Sequence, residues 1–472
     1  MVKPHLAAVP RTSHRQPSPV EEMPAPATLA VLGLQHVLVM YAGAIAVPLI
    51  VGRALKLAPE QVAALISADL FCCGLATLIQ ALGLGKWFGI RLPVMMGVTF
   101  ASVGPMLAMA NEPQLGLGGI FGAVIGAGLV AIVIAPLMSR ILALFPPVVT
   151  GSIIVVIGVS LMPVGINWVM GGPPGMALIA NPAAPASLMA NPAYGALDNL
   201  GISLFVLLVI SLVAKLGRGF LSNIAVLVGI VAGTALAFFL GKVDFAKVAS
   251  AKAFAIVTPF QFGWPSFDVV AILTMSLVMV VVMIESLGMF LALGELTGKR
   301  LAQADLARGL RADGLGTLLG GIFNTFPYTS FSQNIGLVGV SGVRSRWVCV
   351  AAGAILIVMG VLPKLAQAAK AIPSSVLGGA ALVMFGMVAA TGIRILAGVN
   401  YMNQRNNLFV VALALGFGML PLAAENYAQH LPKALAPLMH SGIVLAALAA
   451  VLLNLYFNGI DWEEDEAARD KQ

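Results

Sequence analysis

Fourteen apolar runs, separated by short charged or Gly/Pro-rich breaks, occupy this chain from residue 28 to residue 458. A helix needs about 20 mostly apolar residues to cross ~30 Å of hydrocarbon. Runs of that length in that number predict an all-α, polytopic membrane protein. The composition agrees: of 472 residues 60% are hydrophobic and only 10% charged, with a mean hydropathy of +0.99. A soluble domain carries about 25% charged residues.

The predicted crossings lie near 28–52, 60–82, 93–109, 117–139, 141–163, 197–216 and 220–240 in one half. In the other half they lie near 267–294, 310–325, 331–343, 347–369, 373–393, 407–424 and 434–458. Two are too short or too interrupted for a full crossing. The third contains Pro93, Gly97, Gly104 and Pro105, and the tenth surrounds Gln333. They occupy corresponding places in the two halves.

The halves echo each other in order. Gly74-Leu75-Ala76-Thr77-Leu78 returns as Gly314-Leu315-Gly316-Thr317-Leu318, and Phe145-Pro146 through Gly151 returns as Ile372-Pro373 through Gly378. Phe100 through Gly104 resembles Phe331 through Gly336 with one residue more. A repeat that recurs after seven crossings, an odd number, must be inverted in the membrane. Paired broken helices in an inverted repeat mark a secondary transporter with its site near the midplane.

A net charge of +7 could suggest a nucleic-acid partner, but the basic residues are placed as topology signals. With the N-terminus inside, 18 Lys and Arg fall on the cytoplasmic side and 8 outside. The positive-inside rule then puts both termini in the cytoplasm. Cys72, Cys73 and Cys349 lie in apolar stretches without metal-ligand spacing and read as small buried hydrophobes. Residues 1–27 lack the apolar core of a cleavable signal and, with 459–472, read as disordered cytoplasmic tails. No nucleotide-binding, hydrolase or metal pattern occurs, so neither an enzyme nor an ATP-driven pump is expected.

Polar groups inside the apolar runs supply the candidate site. Phe326-Pro327-Tyr328-Thr329-Ser330-Phe331-Ser332-Gln333-Asn334 places hydroxyls and amides where hydrocarbon accepts irregular polar backbone only around a cavity. Glu285 lies deep in the eighth crossing, where a carboxylate costs roughly 2.5–3.5 kcal/mol even on a lenient scale. Its functional reading is a solute acceptor and proton site; its structural reading is an interhelical hydrogen bond. Gln333 has an acceptor and two donors on one plane, suited to the edge of a nucleobase or, alternatively, to capping a broken helix. Ser332 is small enough to let a solute reach the backbone. Asn334 suits a turn or a solute contact equally, and Asp313 suits a cap, an Arg311 pair or a coupling relay. His36 reads first as an interhelical bonder and second as a proton carrier, and Asp69 as structural.

From Ser332-Gln333-Asn334-Ile335-Gly336 through Ser341-Gly342 the sequence resembles the signature of the nucleobase–ascorbate transporter family, with Ser341 in place of the usual Thr. The resemblance extends to Gln35-His36, the Glu285 span, Ala312-Asp313-Gly314, Leu431-Pro432 and Ser441-Gly442-Ile443. It implies fourteen segments as two inverted sevens, with short strands in broken segments 3 and 10. It also implies a core domain of 28–139 and 267–370 and a gate domain of 140–266 and 371–458. Glu285 and Gln333 would hold a base, with Phe100, Ala101 and Ser332 lining the same place, and His36, Asp313 and Asn334 tuning affinity or coupling. The family pattern implies purine–proton symport by a homodimer in the inner membrane, with no cofactor beyond the coupling proton. Gln at position 333 resembles the xanthine and uric acid permeases, whereas uracil carriers typically have Glu. Met289 and Ala101, where some xanthine carriers are polar, point toward urate. The rival readings are a uracil–proton symporter and an anion exchanger or channel on the same scaffold.

Overall fold

Proline begins three of the long helices: Pro26, Pro59 and Pro147 each stand in the first turn. The ring pre-sets φ, and the missing N–H is one that the first turn would leave unpaired. The computed structural model describes residues 18–110, 112, 114–138, 144–172, 178–181, 184–191, 194–243, 245–424, 426–432 and 435–459.

Helices are numbered here by the crossing they form. The first half holds α1 (Pro26–Ala54), α2 (Pro59–Leu82), strand β1 (Met96–Val98) with α3 (Val103–Ala110), α4 (Gly116–Ile134), α5 (Pro147–Val169), α6 (Leu197–Leu216) and α7 (Ala225–Phe239). Between α5 and α6 lies a hairpin of β2 (Leu178–Asn181) and β3 (Ala184–Ala190). The second half holds α8 (Val269–Thr297), α9 (Gln303–Ile322), strand β4 (Tyr328–Ser330) with α10 (Ser332–Ser341), α11 (Arg346–Gly360), α12 (Ser374–Ala397), α13 (Asn407–Ala423) and α14 (Gly442–Asn458). All fourteen predicted crossings therefore have a counterpart.

Packing repeats with a period of seven crossings. The pair α2 and α11 has its mate in α9 and α4, α1 and α11 in α8 and α4, and α6 and α7 in α13 and α14. The pairs α5 with α12 and α2 with α9 map onto themselves. The sequence echoes mark these seams. A Cβ on Gly74 would stand 2.5 Å from the Gly353 carbonyl oxygen, and one on Gly128 would stand 2.9 Å from the Gly314 carbonyl oxygen. Small residues let backbones approach where lipid supplies no hydrophobic drive between helices.

Three features depart from the sequence reading. The eleventh crossing is not one rod: after α11 the chain turns by 81° into a short helix, Pro363–Lys370. Pro363 disfavours helical φ/ψ at Leu362, and that breaks the run. The β2–β3 hairpin was not foreseen, because its Ala- and Pro-rich sequence carries no strand alternation. Residues 18–25, assigned to a disordered tail, are strapped to the start of α11. Val20 is buried, its carbonyl accepts from the Arg346 N–H at 3.0 Å, and Glu21 pairs with the Arg346 guanidinium at 2.7 Å. An ion pair and an apolar anchor together offset the ordering cost of this short stretch. Pro26 and Ala27, assigned to the same tail, already belong to α1, and residues 1–17 and 460–472 lie outside the described residues.

Candidate functional site

At the centre of the bundle the third and tenth crossings meet as a two-stranded antiparallel ladder, Met96 opposite Ser330, Gly97 opposite Thr329 and Val98 opposite Tyr328. Pairing satisfies backbone groups that apolar surroundings would leave costly. Each strand then turns into a half-helix. The Thr99 hydroxyl caps one turn by accepting the Ala101 N–H at 3.1 Å, whereas no side chain caps α10. The N-terminus of α10 thus presents amides and the positive end of its dipole to whatever lies before it.

What lies before it is a cleft whose empty space is about 470 Å³, part of it open to the surroundings. Phe100, Ala101, Glu285, Ser332 and Gln333 all line it, so five residues chosen from three separate crossings converge there. Glu285 is half-buried and makes no hydrogen bond or ion pair with any described residue. Its reading as an interhelical bond is therefore not met. Gln333 is exposed to the cleft, and its one side-chain bond is to a neighbour, with Ser332 Oγ donating to Oε1 at 3.3 Å. Its amide N–H groups meet no described acceptor, which removes the capping alternative.

The other three residues stand behind the cleft. Asn334 Nδ2 donates to the His36 carbonyl at 2.8 Å and lies 3.1 Å from His36 Nδ1, so the pair ties α10 to α1. Both are buried and neither lines the cleft. Asp313 is buried on α9 and accepts from Gln80 Nε2 at 2.9 Å. Gln80 also donates to the Gly309 carbonyl at 3.0 Å and accepts the Ile90 N–H at 2.9 Å. The Arg311 pairing considered for Asp313 does not form; Arg311 lies over the Trp87 ring instead. Met289 is buried one turn from Glu285 and is not in the lining, whereas Ala101 is.

Sequence reasoning missed the far wall. Ile154 and Ile157 of α5 and Val388 of α12 close the cleft opposite the half-helices, and apolar residues in apolar helices carry no signal. It also passed over Gln80, although an amide inside the second crossing was visible. Val98, Thr99, Thr329, Ser330 and Phe331 complete the lining.

The arrangement offers a solute one free carboxyl, one amide with free N–H groups and an uncapped helix start, walled by Phe100, Phe331 and the aliphatic side chains of Val98, Ile154, Ile157 and Val388. Among the lining residues there is no Lys or Arg.

Comparison with known proteins gives the same picture. The uric acid transporter UacT of Escherichia coli (strain K12) is 52% identical over 455 residues, covering 96% of this chain and 91% of that protein. A xanthine permease of Bacillus subtilis (strain 168) is 44% identical over 427 residues, covering 90% and 93%. Among solved structures, the transmembrane domain of a cyanobacterial bicarbonate transporter, BicA, superposes with a TM-score of 0.58 at 17% identity, covering 92% of this chain and 98% of that one. That likeness shows the fold, the inverted repeat of seven and seven crossings. The sequence profile Xan_ur_permease, described as a permease family, matches residues 27–426. The chain is a multi-pass membrane protein and belongs to this permease family, the nucleobase–ascorbate transporters.

Proposed function

We propose that the protein carries purine nucleobases, urate foremost and xanthine second, across the inner membrane together with protons. The observation that supports this most is the unpartnered Glu285 carboxyl and the unpartnered N–H groups of the Gln333 amide on one small cleft between aromatic and aliphatic walls. A purine dione presents ring N–H donors and carbonyl acceptors on one edge. Glu285 accepts from a ring N–H, and the Gln333 amide donates to a carbonyl while accepting from the neighbouring N–H. Glu285 is also the one acidic group in the lining and so the natural proton site. The urate preference draws on the 52% identity to a uric acid transporter and on Ala101 in the lining.

In this reading residues 28–139 and 267–370 form a core that holds the solute, and 140–266 and 371–458 form a gate. His36, Asn334 and Asp313 support the site from behind, both termini face the cytoplasm, and two copies associate through their gates. A lining without Lys or Arg counts against the anion-exchange alternative. The test is uptake of radiolabelled urate, xanthine and uracil in cells lacking their own carriers, with and without a protonophore. Protonophore-sensitive accumulation of urate or xanthine is expected. Accumulation of uracil alone, or uptake that ignores the protonophore, overturns the substrate or the coupling respectively.

A further inference from the structure

The tenth crossing is gripped from behind by a carboxyl that does not reach the cleft. Asp69 of α2 is buried, and its Oδ1 accepts from the Tyr328 hydroxyl at 2.7 Å and from the Thr325 hydroxyl at 2.9 Å. Cys73 Sγ lies 3.7 Å from Oδ2. Tyr328 opens β4, and its fully buried ring runs beside Gly320 of α9, where a Cβ would stand 3.0 Å from the ring. The ring is thus threaded between α2 and α9 and tied at its far end. Thr325 and Tyr328 bracket Phe326-Pro327, and the Pro327 carbonyl accepts the Thr99 N–H at 2.9 Å. Through Thr99 the fixation passes to the Ala101 turn.

Among the described residues the other repeat has no such grip. Met96, which opens β1, offers a thioether that among the described residues is met by Gln80 Nε2 at 3.8 Å and Ser330 Oγ at 3.7 Å. A clamp serving only to fold two equivalent half-crossings would recur in both. This one occurs behind the half-crossing that bears Ser332 and Gln333.

We infer that Asp69 is a positioning residue for solute recognition, acting through Tyr328 and Thr325 to set Gln333 against Glu285 and Ala101. The inference rests on the purine-carrier reading of the cleft. A carboxylate that binds two hydroxyls through one oxygen does so as an acceptor, and an amide oxygen can take its place. Asp69→Asn therefore keeps solute affinity where Tyr328→Phe weakens it.

The test uses the full chain and two readouts. In urate uptake, Tyr328→Phe and Thr325→Val should each raise KM by about ten-fold, as loss of a hydrogen bond to a charged acceptor implies. Their maximal rates should stay within about two-fold, and Asp69→Asn within about three-fold of the parent in both constants. An unchanged KM with a lowered melting temperature would make the cluster fold support only and overturn the inference. So would loss of accumulation in Asp69→Asn with exchange intact, since that identifies a proton carrier. The second readout needs no solute: in a Ser332→Cys background, adding Tyr328→Phe should change the maleimide labelling rate several-fold, and an equal rate overturns the inference. The three natural cysteines are buried. If the parent protein takes up no purine, the carrier reading fails while labelling still decides whether Asp69 sets the position of α10.

Discussion

Thr77 and Thr317 perform one task in opposite halves of the fold: the hydroxyl of Thr77 accepts the N–H of Met96 at 2.9 Å, and that of Thr317 accepts the N–H of Tyr328 at 3.0 Å. Each hydroxyl therefore seats the first residue of one central strand. Thr77→Val and Thr317→Val would each leave a buried N–H unpaired, a cost of about 1–3 kcal/mol. Both should lower the melting temperature of the detergent-solubilised protein by similar amounts, and Thr→Ser at either position should restore it. A large effect at one threonine and none at the other would break the equivalence.

Glu285→Gln keeps the shape of the side chain and removes its charge and its proton. The variant should fold and enter the membrane normally yet fail to accumulate urate against a gradient. Surface expression with uptake stopped at equilibrium is the expected pair of results. Normal accumulation would remove Glu285 from coupling.

Gln333→Glu exchanges the two amide donors for acceptors, which leaves a purine carbonyl facing a carboxylate. One lost hydrogen bond to a neutral partner and one repulsive contact together amount to about 2 kcal/mol, or roughly thirty-fold in apparent affinity. Competition of labelled urate by unlabelled urate and xanthine measures this directly. An unaltered competition profile would mean that Gln333 does not touch the solute.

Gln80→Ala should strip Asp313 of its donor and Ile90 of its acceptor at once. Asp313 Oδ2 already has no close partner among the described residues, so the carboxyl would keep only the nearby Ser286 hydroxyl as support. We expect a destabilisation of about 3 kcal/mol or more, seen as poor recovery of folded protein. Recovery equal to the parent would show that water or another group takes over.

Much of this site could be read from the chain because hydrocarbon makes polar residues conspicuous. Glu285 and Gln333 stood out for that reason, and both line the cleft, Glu285 with no hydrogen bond among the described residues and Gln333 with only its neighbour Ser332 as partner. The repeat was legible in Thr77 and Thr317, though their shared contact with a strand start was not, since sequence does not say which backbone amide a hydroxyl will meet. Asn334 was balanced between roles and His36 was read first as an interhelical bonder, and the structure gives them a bond to each other behind the site. Ile154, Ile157 and Val388 were invisible, because an aliphatic side chain that faces a cleft looks like one that faces lipid. Val20 and Glu21 were misjudged because their partner, Arg346, is more than 300 residues away along the chain.

The β1–β4 ladder has a mechanical consequence. Its three residue pairs join the first half of the chain to the second by backbone hydrogen bonds, and separating them would strand those groups in an apolar interior. A solute seated between Ala101 and Gln333, as proposed, would not be let go by spreading the two half-helices apart. They form one cradle, and on the proposed reading the cradle and its passenger would shift as a unit past the Ile154, Ile157 and Val388 wall.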